Sequence, residues 1–149
     1  MQTLLKTLFI RNLNQLKLEI ESYKTEADLW KTTPEIANSG GNLCLHLIGN
    51  LNHFIGATLG NTGYIRQRDL EFSEKNIPRE ILIQNIENVI KIVSNTLDNL
   101  NENDFKQEYP SEVFGSKMAT QDFITYLTTH LAYHLGQINY HRRFINSTN

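Results

Sequence analysis

The chain has 149 residues, 40% of them apolar and 20% charged, with a formal net charge of −2. That is enough for one compact domain with its own core and too little for two ordinary ones. The same balance excludes a disordered chain and gives no electrostatic footing for nucleic acid.

At the N-terminus, Met1 to Arg11 lacks the apolar run and small-residue cleavage site of a signal peptide, and no segment approaches the roughly eighteen apolar residues of a membrane span. A soluble, cytoplasmic protein with no membrane partner is expected. Leu5, Leu8, Phe9, Leu13, Leu16, Ile20 and Tyr23 recur at spacings of three and four, which predicts a first helix from about Thr3 to Leu29. Pro34 and the Gly40-Gly41 pair mark a connector, and Asn42 is the expected N-cap of a second helix running to about Leu59. Cys44, the one cysteine, lies between Leu43 and Leu45 and reads as packing, not as a nucleophile. Gly60-Asn-Thr-Gly63 closes that helix, and the polar stretch Tyr64 to Asn76 forms a long crossing. In it, Arg66 and Arg68 are candidates for gripping an anionic substrate group or for ion pairs that pin the crossing to helix surfaces.

Pro78 suits a first helical position and opens a third helix to about Leu100, with Ile81, Leu82, Ile86, Val89, Ile90, Val93 and Leu97 facing inward. Phe105 to Met118, with Pro110 and Gly115, reads as irregular; a fourth helix follows from about Thr120, its expected N-cap, to Ile145. No strand pattern of comparable strength and no repeat appears. The expected architecture is all-α: one domain over residues 1–149, folded as a four-helix bundle with one or two long crossover connections.

All five histidines fall on the second and fourth predicted helices. His130 and His134 are four apart, so both imidazoles leave one helix face a turn apart, which is metal-ligand spacing. On the second helix His46, Asn50, His53 and Ala57 advance by four, three and four, and on the fourth His141 continues the stripe of His130, His134 and Ile138. Buried imidazoles need partners, and a metal satisfies several at once. Two histidines from one helix and one from another leave coordination positions for water or substrate. His46 and His53 compete for the second-helix position, while His53, His141 and Asn50 also suit supporting or substrate-facing roles. Tyr126, Tyr133 and Tyr140 recur every seven residues beside that face, as core or as a dimer contact, and Tyr133 is within reach of a bound substrate. There is no phosphate loop, Cys-x-x-Cys pair, nucleophile elbow or Glu-x-x-His motif, which argues against ferritin-like oxygen chemistry.

The segments Asn42-Leu-Cys-Leu-His-Leu-Ile-Gly-Asn-Leu-Asn-His-Phe54 and His130-Leu-Ala-Tyr-His-Leu-Gly-Gln-Ile138 resemble the DinB-like superfamily, small bacterial four-helix proteins regarded as candidate metalloenzymes. The likeness in size, helix order and histidine placement covers nearly the whole chain. It implies a divalent metal, zinc or nickel first among the candidates, held by His46, His130 and His134. Where the family often has Arg-Gly-Gln after the second histidine of the last-helix pair, this chain has Leu135-Gly136-Gln137 after His134, so a charged group beside the site is lost while Gln137 is kept. The resemblance further implies a small-molecule substrate and a low-molecular-weight thiol as co-substrate in an S-transferase or related detoxifying reaction; a homodimer is expected as well. The competing class is a non-catalytic metal- or ligand-binding stress-response protein.

Overall fold

Apolar residues at helical spacing decide where the four long helices lie: α1 (Gln2–Glu21), α2 (Gly40–Leu51), α4 (Arg79–Asn99) and α6 (Thr120–Ser147). Two short helices, α3 (Arg68–Ser73) and α5 (Glu102–Lys106), sit in the connections. The structure is a computed structural model that describes residues 1–148. Among the described residues there are no strands, only isolated bridges such as Glu108 to Ala119. None of the helices is long and apolar enough to cross a membrane.

The bundle is all-α, as the sequence predicts. α1 packs against α4 and α6, and α2 lies between α4 and α6 while also carrying α3. Phe9, Leu13, Leu16 and Ile20 of α1 meet Leu82, Ile86, Val89 and Val93 of α4 in a core from which solvent is excluded. Each such aliphatic side chain contributes about 2 kcal/mol on burial. Ile81, expected to face inward, is instead 41% exposed at the outer edge of α4's first turn. Glu19 of α1 is buried and paired with Arg142 and Asn139 of α6, so Arg142 ties two helices together.

Several boundaries depart from the sequence expectation: Pro78, for one, is the N-cap of α4 and not its first residue, and two of the others have a clear local reason. α1 stops at Glu21, not Leu29, because Ser22 turns its hydroxyl back to the Leu18 carbonyl and Thr25 and Asp28 bond each other's backbone N–H groups, opening a separate 3₁₀ turn at Ala27–Trp30. α2 starts earlier than expected, with Ser39 as N-cap accepting from the Asn42 N–H. Asn42 is thereby free to use its amide elsewhere: Nδ2 donates to the carbonyls of Glu71 and Glu74, fastening α3 to the base of α2. At α6 the N-cap position is Ala119, with Thr120 inside the helix.

Beyond Leu51 the second helix widens into a π-turn, Asn52–Ala57, in which the Thr58 N–H reaches back five residues to the His53 carbonyl. An ordinary helix would bring His53 onto the face of His46 and Asn50. The wider turn holds more residues, and it is Phe54, not His53, that lines the cavity with His46 and Asn50.

Candidate metal centre

His46 reaches inward from the middle of α2 and is 7% exposed; His130 and His134, half-buried, face it from adjacent turns of α6. One ring nitrogen from each of the three lies within 4.8 Å of the others. Nε2 of His46 and Nε2 of His130 are 3.3 Å apart. Two nitrogen ligands at the usual bond length on a tetrahedral cation stand about 3.4 Å apart, so this separation fits a shared ion.

Two of the three outer nitrogens support the same geometry, while Nδ1 of His130 is buried without a partner. His46 donates from Nδ1 to Oε2 of Glu71 at 2.9 Å, and His134 donates from Nδ1 to Oε1 of Gln137 at 2.7 Å. With Nδ1 protonated, each ring presents an unprotonated Nε2 to the centre, the tautomer a metal needs. Gln137 is steadied by donating to the Tyr133 hydroxyl at 3.2 Å. Tyr133 itself is exposed, and acts on the cluster through this chain of contacts.

Glu71 is the residue that the sequence did not disclose. Carried into the interior by α3, it is 5% exposed and takes two hydrogen bonds from Arg66, Nε to Oε1 at 2.7 Å and the terminal amine to Oε2 at 2.9 Å. Burial works to raise its pKa, but the hydrogen bonds from His46 and Arg66 and the guanidinium charge outweigh that and hold it below the ordinary carboxylate range. A metal-binding histidine usually gives its second nitrogen to a carboxylate or carbonyl. Asking which acid could orient His46 is the one sequence signal that leads to the crossing and its Arg66-x4-Glu71 pair.

Beside the cluster opens a cavity of about 570 Å³ whose walls include Asn50, Phe54, Phe72, Phe123 and Tyr126, with Arg66 and Arg68 along the crossing and Glu112 opposite in sign. The Arg68 guanidinium lies over the Phe72 ring at 5.5 Å. Arg66 thus serves as the ion pair weighed for the crossing, and it also borders this cavity.

Two histidines of the stripe stand apart. His53 is half-buried against the Phe54 ring and lies outside the three-nitrogen group. His141 is buried at the other end of α6, bonded to the Tyr23 hydroxyl at 2.7 Å and the Lys31 carbonyl at 2.9 Å, and so joins the connector to the bundle. Cys44 is fully buried and burial pushes its thiol pKa up, as expected of a packing residue. Tyr126, Tyr133 and Tyr140 are 39%, 64% and 73% exposed, which removes the core alternative for that stripe.

Burial, together with the fields of His134, His46 and Arg66, pushes His130 down to about 4, and burial followed by the field of His46 also lowers His134 despite its bond to Gln137. Both folded values lie below the ordinary histidine value near 6.5, so the unfolded chain binds more protons between them. Stability is complete above about pH 6.5 and falls as the pH drops through the window toward the folded value. The melting temperature of the metal-free protein is expected to decline over that range, and His130→Gln to flatten the decline; an unchanged profile in the variant counts against the assignment.

Residues 3–149 match the model of a family described as a protein of unknown function, DUF1572. No curated protein matches the chain.

Proposed function

Because the chain belongs to the DUF1572 family, whose description assigns no activity, we propose from the site itself that it is a DinB-like, divalent-metal-dependent enzyme, most specifically a thiol S-transferase. His46, His130 and His134 would hold the metal, with zinc or nickel first among the candidates that the DinB-like resemblance implies. The observation that carries this reading is the pair of Nε2 atoms 3.3 Å apart, with the Nδ1 atoms of His46 and His134 already committed to Glu71 and Gln137. A cation bound there supplies Lewis acidity, lowering the pKa of a coordinated thiol into the neutral range.

The chain's own groups do the rest. Glu71 and Gln137 fix the tautomers of His46 and His134, while Arg66 keeps Glu71 ionised. Phe54, Phe72 and Phe123 give one side of the cavity an apolar wall for the body of the electrophile, beside the charged Arg66, Arg68 and Glu112. Arg68, over the Phe72 ring at the cavity wall, supplies a cation for an anionic substrate group. In the transfer, a bond forms between the thiol sulfur and the electrophilic carbon, the leaving group departs with its electron pair, and the thiol proton passes to solvent.

Elemental analysis of untagged protein is expected to find a divalent metal at a level matching the protein. Incubation with several low-molecular-weight thiols and a generic electrophile is expected to show conjugation that chelation abolishes. Bound metal without conjugation by any thiol selects the non-catalytic binding module instead, and no bound metal removes both readings.

The exposed aromatic side of α6 is also the face proposed for a homodimer, since Tyr133, Tyr140 and Phe144 lie along one side of the helix with large apolar surface uncovered. Sedimentation velocity is expected to give twice the chain mass, reverting to one in Tyr140→Glu; a wild-type monomer at micromolar concentration defeats the assignment.

A further inference from the structure

Tyr133, Gln137, Tyr140 and Phe144 follow one another on α6 at spacings of four, three and four, so they form one stripe, and all four are exposed. Tyr140 and Phe144 also stand between two depressions. On one side lies a groove of about 430 Å³ against the connector, walled by Ile36, Leu43 and Gln137 together with the acid Glu35; on the other is a hollow that carries Arg143. The Arg143 guanidinium lies over the Tyr140 ring at 5.5 Å, and among the described residues neither it nor Glu35 forms an ion pair. A ridge, a hole, an acid and a base on one surface are what the same surface needs opposite it when turned about a two-fold axis. Gly136, beside Gln137, agrees with this. A glycine in mid-helix is destabilising relative to alanine, and nothing within the chain requires it, since no atom lies within 4 Å of where its Cβ would stand. A second helix laid across α6 does.

One residue of the stripe also belongs to the histidine cluster. Gln137 lines the groove and accepts the Nδ1–H of His134 at 2.7 Å, and because its side chain is exposed, water competes for this bond. Covered by a partner, the same bond sits in a lower dielectric and is stronger. We infer that a second copy of the chain seats on this groove, with Glu35 facing Arg143 of the partner subunit, and that by shielding the Gln137–His134 bond it completes the metal centre. Assembly and metal binding then strengthen each other, because coupling between two binding equilibria is reciprocal. The inference rests on the homodimer and the metal site proposed above, and adds the linkage between them.

Sedimentation velocity over a dilution series of the full chain tests this, with zinc alone as the probe. The dimer dissociation constant is expected to be about fivefold or more lower with zinc than after chelation. In Gln137→Ala the dimer is expected to persist while its zinc dependence vanishes. Glu35→Arg and Arg143→Glu are each expected to weaken the dimer by about tenfold, and the two together to restore it. A dimer that zinc leaves unchanged overturns the linkage while the homodimer stands; a wild-type monomer with and without zinc removes both. A zinc effect that survives in Gln137→Ala, or a double variant no better than the single ones, puts the ion or the contact elsewhere and overturns the inference as well. Competitive zinc titration of the same samples reads the metal site by itself: a chain that binds no zinc overturns the inference together with the metal reading, and is thereby told apart from a dimer that ignores bound zinc.

Discussion

His134→Ala is expected to lose its metal during gel filtration, where the wild type keeps it, and to lose metal-dependent conjugation with it. In the proposed site three imidazoles hold the ion, and removing one leaves two nitrogens whose combined affinity is expected not to survive exchange with buffer. Loss of a mere supporting residue around a metal costs roughly 10- to 100-fold in affinity, and loss of a ligand exceeds that. The fold is expected to survive the change: His134 is half-buried on α6, its side chain bonds the exposed Gln137, and alanine is a strong helix former. Comparison with His53→Ala, a histidine outside the cluster, makes the result specific. Equal metal retention in both variants would mean that the proposed ligand set is wrong.

The second large effect concerns Glu71, which orients a ligand and anchors a cation at once. Glu71→Ala removes the acceptor of the His46 Nδ1–H and leaves Arg66, only 13% exposed in its side chain, without its carboxylate. Breaking a buried pair from one side costs about 3–5 kcal/mol when the remaining charge is sealed from water; since Arg66 borders the cavity, about 2–3 kcal/mol is expected here. For the metal, the expected loss is about 10- to 100-fold in affinity. Glu71→Gln keeps an acceptor for His46 and is expected to retain more of the affinity than of the stability. Gly49→Ala arrives at the same point from the opposite wall, because a Cβ on Gly49 would stand 2.1 Å from Oε1 of Glu71. The Glu71 side chain is held by His46 and Arg66 and has no cheap way to yield. Chemical denaturation with competitive zinc titration measures both quantities, and a Gly49→Ala protein that binds and unfolds like the wild type would show that the carboxylate is not held where it is described.

Much of this arrangement was legible in the residues. The apolar repeats of Leu5 to Ile20 and Leu82 to Leu97 located two long helices, and the spacing of His130 and His134 put both on one face of a third. What escaped depended on contacts between distant segments. Nothing in the crossing's composition marks Glu71 as interior, since acids are nearly always solvated; it becomes buried only because Asn42 clamps the α3 backbone and Arg66 neutralises the charge. The overextension of the first helix came from reading Tyr23 as part of an unbroken stripe. It is buried, but from a turn that the reciprocal bonds of Thr25 and Asp28 create. His53 was placed on the same face as His46 by counting 3.6 residues per turn, a count that fails where the helix widens.

That widening governs how many nitrogens can surround the centre. With one residue fewer between Asn52 and Ala57, the helix would close to its ordinary pitch, Phe54 would swing out, and an imidazole would take its direction toward the neighbouring cavity. A fourth imidazole brought close enough to bind would turn an open site into a saturated one, the difference between a catalytic ion and a purely architectural one. The surplus residue thus works as a spacer: it leaves Phe54 and not His53 on the cavity wall, and the proposed centre with three protein nitrogens and open coordination positions.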